Sequence, residues 1–165
     1  MIGHRVLAAI LLTSAAMAGA GCDRSIDVSQ ALEITDVHTG WYDAGIVEGQ
    51  KNKIVPSVAI RLRNKSGRNV SSVQVNAIFR QVNDRAAWGE HFAKAIGPDG
   101  IGPGATTNPI VLRSNLGYTS ADQSRLQMLR NSQFIDAKVE IYGKHGSRTW
   151  AKLGEYPIAR QLLTQ

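Results

Sequence analysis

Three of the four histidines, one cysteine, a group of arginines and three tryptophans are the side chains of this chain with the most chemistry to offer. His38, His91 and His145 lie far apart in sequence, each near an expected strand end or turn. A metal site would need them to converge, and with the expected signal residues 1–21 removed the only sulfur ligands that could join them are Met128 and Cys22. Glu90 beside His91, with a distant serine, makes a hydrolytic triad by composition. Adjacent residues of a strand point to opposite faces, however, so Glu90 is badly placed to orient that imidazole. Gly100, Gly102 and Ala105 satisfy a loose dinucleotide pattern, yet Pro98, Pro103 and Pro109 exclude the strand, loop and helix that would seat a pyrophosphate. The sequence has no GxSxG, HExxH or P-loop pattern. The expectation is a non-enzymatic protein with no cofactor, metal or small-molecule substrate; a metal carrier or hydrolase is the rival, and it requires convergent His, Asp and Glu. Arg61, Arg63, Lys65, Arg68 and Arg80 remain as a candidate binding group for an acidic partner or anionic headgroups. Trp41 with Tyr42, Trp88 and Trp150 would stack glycan or peptidoglycan if they shared one exposed face, and otherwise are core.

The elements that must position these residues read mainly as strands. Val58, Ile60 and Leu62 alternate with Ala59, Arg61 and Arg63; Val73, Val75, Ala77 and Phe79 alternate with Gln74, Asn76, Ile78 and Arg80. Residues 64–69 (NKSGRN) are a turn by composition. Pairing Asn64 with Asn69 sets Ile60 opposite Val73 and Val58 opposite Val75, which would bring Arg61, Arg63 and Arg80 onto one wet face with Lys65 and Arg68 at its turn. The alternative use of those charges is to keep a solvated sheet from pairing edge to edge. A second hairpin joins Ile135, Ala137, Val139 and Ile141 to residues after the 143–147 turn, with Ile141 opposite Thr149, Val139 opposite Ala151 and a bulge at Gly154. Weaker strands are expected at 32–37, 88–96 and 110–112. The Gly/Pro-rich segment 97–109 must be a loop. One short helix is expected over 120–131, capped by Thr119 or Ser120, with Leu126, Leu129 and Met128 as its inward candidates.

About seven short strands, one short helix and no internal repeat predict an all-β, immunoglobulin-like antiparallel sandwich. The stretch 58–79 (VAIRLRNKSGRNVSSVQVNAIF), followed by Gly102-Pro103-Gly104, resembles the FxLYD-like small immunoglobulin-like domains of bacterial envelope proteins. That resemblance implies the sandwich and no catalytic residues.

The chain has 165 residues, one of them cysteine, and 19 basic against 13 acidic side chains for a formal charge of +6. One domain fits that length, and a single thiol excludes a disulfide framework or a CxxC site. The charge is too mild and scattered for nucleic acid. Residues 1–5 are short and basic, residues 6–18 are apolar, and small residues lead to Cys22, which is the pattern of a secretory signal. The apolar run is well short of the roughly 20 residues of a spanning helix. Gly19-Ala20-Gly21-Cys22 resembles a bacterial lipobox, and the resemblance implies that Cys22 becomes the acylated N-terminus after removal of residues 1–21. Ordinary cleavage after Ala18 or Ala20 is the competing reading. Residues 22–30 would then be an acylated tether and 31–165 the domain. The protein would face the periplasm, anchored through acyl chains to the inner or the outer membrane, with an envelope protein as its expected partner.

Overall fold

Period-two alternation in the chain resolves into two facing sheets. The computed structural model describes residues 26–163; the signal segment and Cys22 lie outside them. A helical turn, α1 (Val28–Ala31), leads into β1 (Leu32–Val47), β2 (Lys51–Asn64), β3 (Val73–Gln81), β4 (Gly89–Ile96), β5 (Ile110–Arg113) and β6 (Tyr118–Ser120). After these come α2 (Arg125–Arg130), β7 (Ala137–His145), β8 (Ala151–Pro157) and β9 (Leu162–Leu163). One sheet has the order β5-β2-β1-β9, with β6 also pairing with β2; the other has the order β4-β3-β7-β8. Every pair is antiparallel except β1 with β9. The chain changes sheet after β2, after β4, after β6 and again after β8, which is the Greek-key connectivity of an immunoglobulin-like sandwich with β9 added at one edge. The short strands β6 and β9 are additions to the expected set of about seven.

The two clearest apolar rows form the core, but not as a hairpin. β2 pairs with β1, β5 and β6, whereas β3 pairs with β4 and β7, so Ile60 and Val73 belong to opposite sheets. Paired side by side, both rows would point to one face with nothing on it. Facing each other, Val58, Ile60 and Leu62 cover Val75, Ala77 and Phe79, and all six are fully buried. The link from β2 to β3 therefore crosses the end of the sandwich. Buried Asn64 shapes it: its amide donates to the carbonyls of Arg68 and Ile101, and its carbonyl accepts from the Ser66 N–H and hydroxyl. The Lys65 N–H donates to the Ala31 carbonyl, and Ser72 takes a left-handed φ of 53°.

Other boundaries also move for local reasons. β1 was expected to stop at Val37, yet it runs to Val47 because irregularities at 35–38 and 43–46 break its alternation; Asp36 and Gly45 sit there with positive φ. In the β7–β8 pair Ile141 lies opposite Gly154 and Val139 opposite Tyr156, which corrects the expected register. The bulge does fall beside Gly154, where the Tyr156 ring occupies the space of a Cβ. Ile135 lies before β7 and is exposed. α2 starts later than expected, behind a capping box of Ser124 and Gln127, because Ser120 ends β6. The helix buries Met128 and Leu129 and leaves Leu126 outside. Ile26 and Val28 are buried too, so the packed unit reaches upstream of residue 31.

Candidate functional site

The crossover after β2 disperses the arginine group. Arg61 and Arg63 stand on the outer face of the β2 sheet, paired with Asp36 at 3.5 Å and with Glu33. Arg80 stands on the outer face of the other sheet, 2.9 Å from Glu140. The face expected to collect all three does not exist, because the hairpin that would have joined them does not form. Lys65 and Arg68 lie on the exposed crossover at one end. The histidines stay apart: the Arg113 N–H donates to Nδ1 of His91 at 3.2 Å, His38 is on β1, and His145 ends β7. Among the described residues no three His, Cys, Asp or Glu side chains group into a metal-binding set. Trp41 is fully buried against Trp88, Tyr118 and Phe134, with ring centroids 4.8 to 6.1 Å away. Trp150 sits at the other end of the sandwich, so the tryptophans share no exposed face.

The surface that does gather apolar side chains is the end farthest from residue 26. Ile46, Val82, Leu116, Leu126 and Ile135 are each 42% to 63% exposed there. They come from the β1–β2 tip, the loops before β4 and β6, the helix α2 and the link to β7. Polar bonds fix these loops to one another. Asn52 donates to the Gln123 carbonyl at 2.8 Å, Arg125 pairs with Asp43 at 2.9 Å, and the Val82 N–H donates to the Asp136 carbonyl at 2.8 Å. Arg160 holds Asp136 and the Phe134 carbonyl, with its guanidinium 5.0 Å from the Phe134 ring centroid. Gly117 lets the chain pass against β2, since a Cβ there would come within 2.0 Å of the Ile54 carbonyl oxygen.

A hollow of about 230 Å³ opens in this end between Tyr118, Met128 and Phe134 on its apolar side and Ser120, Gln123 and Asn131 on its polar side. Burial pushes the Tyr118 phenol above its ordinary value, so it stays protonated; it donates to the Ile135 carbonyl and accepts from the Gln81 amide, both at 3.1 Å. Asp122 also lines the hollow and accepts from the Ser120 hydroxyl at 3.0 Å, with no histidine, lysine or cysteine beside them among the described lining residues. The hollow thus has apolar walls edged by amides and hydroxyls. The sequence pointed elsewhere because these five apolar residues are scattered singly over five segments, and only the fold brings them to one end.

The architecture thus defines the class: an immunoglobulin-like β-sandwich, with no helix among the described residues long and apolar enough to cross a membrane. No protein-family model, curated protein or solved structure matches the chain, so what it does must be argued from its own residues.

Proposed function

We propose that this chain is a non-enzymatic lipoprotein of the bacterial cell envelope. It is exported, acylated at Cys22 and held at a membrane, and its sandwich docks another envelope protein through the end bearing Ile46, Val82, Leu116, Leu126 and Ile135. The observation that carries the reading is the position of that apolar end: it lies opposite Ile26, the first described residue, four positions after Cys22. A tether entering there would present the apolar end away from the bilayer. Two or three acyl chains, each adding about 0.8 kcal/mol per buried CH₂, are a durable anchor for such a domain. Exposed apolar groups around a hollow, with polar neighbours, have the make-up of an interface core.

The test has two arms. Cys22→Ala should abolish fatty-acid labelling and release the protein from the membrane fraction. A photo-crosslinker at position 126 should trap a discrete envelope protein, and Ile46→Asp should prevent that trapping without changing the folded domain. A wild-type chain that takes no label sinks the anchor, and crosslinking indifferent to Ile46→Asp sinks the docking end.

A further inference from the structure

The end where residue 26 enters has its own surface, and it differs from the apolar end. Trp150 is 39% exposed and meets Phe92, itself 55% exposed, edge-on at 5.8 Å; the Lys144 ammonium lies 4.9 Å from the Trp150 ring centroid. Lys94 and Lys144 flank Gln74 in one row across the same outer sheet face. Arg148 lies in the loop carrying Trp150, and that loop is tied to the β2–β3 crossover, where the Gly146 N–H donates to the Ser72 carbonyl at 3.0 Å. Lys65 and Arg68 stand on that crossover. Among the described residues none of these five cations makes an ion pair. Asp27 lines the same hollow as Arg148, the Asp99 carbonyl accepts from the Asn69 amide, and Glu33 is taken by Arg63. Ile26 and Val28 line a hollow of about 330 Å³ together with His145, Arg148 and Ala151, so the chain leaves the domain next to this loop.

We infer that this end is a membrane-contacting surface: Trp150 and Phe92 enter the headgroup layer of an anionic bilayer while Lys65, Arg68, Lys94, Lys144 and Arg148 face its phosphates. The inference rests on the acylation of Cys22 proposed above. The four residues from Cys22 to Ile26 span at most about 14 Å, so an anchor at Cys22 holds this end, and no other, within reach of the bilayer. Aromatic rings with an apolar body and a polar tip favour that layer, and lysine stems extend past them to the phosphates. Each cation near an anionic surface strengthens contact about fivefold, the equivalent of about 1 kcal/mol.

The experiment uses the full chain in vesicles of phosphatidylglycerol mixed with phosphatidylcholine brominated in its acyl chains. Wild type is compared with Trp150→Phe and with Lys65→Gln/Arg68→Gln/Arg148→Gln. Bromine should quench an emission component that Trp150→Phe removes. The triple variant should lose most of that quenching, as should vesicles of brominated phosphatidylcholine alone, with the melting temperature unchanged. A chain that floats with the vesicles while Trp150 stays unquenched overturns the inference, as does quenching equal with and without phosphatidylglycerol, or a Trp150 that crosslinks to a protein instead. Fatty-acid labelling of Cys22 is scored separately. Labelled but unquenched chain fails this surface alone, quenched but unlabelled chain fails the anchor alone, and chain that neither labels nor floats fails both.

Discussion

At the end where residue 26 enters, five cations that make no ion pair among the described residues surround an exposed tryptophan; at the opposite end, Arg125 and Arg160 are tied to Asp43 and Asp136 beside five exposed aliphatic side chains. Both ends consist of loops joining the same two sheets. The difference lies in what the charges do. At the apolar end two arginines bind loop to loop, and the exposed aliphatic side chains stand among charges of both signs, Glu48, Lys51, Asp84, Arg85 and Arg130. At the entry end backbone bonds and Asn64 hold the loops, and among the described residues its five cations enter no ion pair, Lys144 lying over the Trp150 ring. A count of basic residues conveys little about a surface until the paired ones are set aside.

The sharpest way to break the comparison is to remove what holds each end. Trp41→Ala should destabilise the domain most, by about 3–5 kcal/mol, because it empties the centre of the aromatic cluster under the apolar end. Trp41→Phe should cost clearly less: the indole N–H is buried with no hydrogen-bond partner among the described residues, so the substitution discards an unsatisfied donor along with some volume. Denaturant unfolding of the pair would decide this, and equal losses would show that the N–H is satisfied. At the entry end Asn64→Ala should cost about 2 kcal/mol, since it leaves the Ser66 N–H without its acceptor and takes one of two donors from each of the Arg68 and Ile101 carbonyls. Its effect should appear as faster hydrogen exchange over residues 64–72, with the apolar end unchanged.

Smaller effects come from the charged network on the β3–β7–β8 face, between the two ends. Arg80→Gln should cost about 1–2 kcal/mol, because it removes the closest cation from the mostly buried Glu140. The Arg80 hydrogen bond is the main reason the Glu140 carboxyl lies below its ordinary value; Lys152 adds to it. Hydrogen bonds from Lys152 and Lys138 hold Glu155 down to about 2 from an ordinary 4.5. A carboxyl depressed in the folded state stabilises above its unfolded value, and that contribution disappears as the pH falls from about 4.5 toward about 2. The wild type should therefore lose part of its stability to denaturant in that window, and Arg80→Gln, which removes the main cause of the Glu140 shift, should lessen the loss. Lys152 is raised to about 12 from 10.5, so its share is present below 10.5 and lost on the way to about 12. Least of all, Arg61→Gln and Arg63→Gln should each change stability by less than about 0.5 kcal/mol, as exposed pairs do. A larger loss from either would mean that the outer face of the β2 sheet is covered by something.

The inward rows at 58–62, 73–79 and 137–141 were legible because side chains alternate across a strand and only one face of a sandwich needs to be apolar. Which strands pair was not legible. Two rows of equal parity satisfy a hairpin and a facing pair alike, and the choice between them depends on Asn64 reaching Ile101, a residue 37 positions away. That one ambiguity moved Arg80 to the other side of the molecule. β1 was only partly visible because its irregularities at 35–38 and 43–46 reset the alternation. Leu126 was read as inward because a six-residue helix is too short to establish a face, and its cap proved to be Ser124. The apolar end had no signal in the sequence, since five single residues in five segments make no pattern until the strands end at the same level.

Strand β1 starts beside the entry point and runs to the tip of the apolar end, bonded to β2 along most of its length and to β9 at Trp41 and Tyr42. A mechanical load entering through residue 26 is thus directed along that strand. It strains a long row of backbone hydrogen bonds together, in shear, instead of peeling them one after another. Traction between a bilayer and whatever grips the far end would meet its resistance in this ribbon, and the loops at either end would carry little of the force.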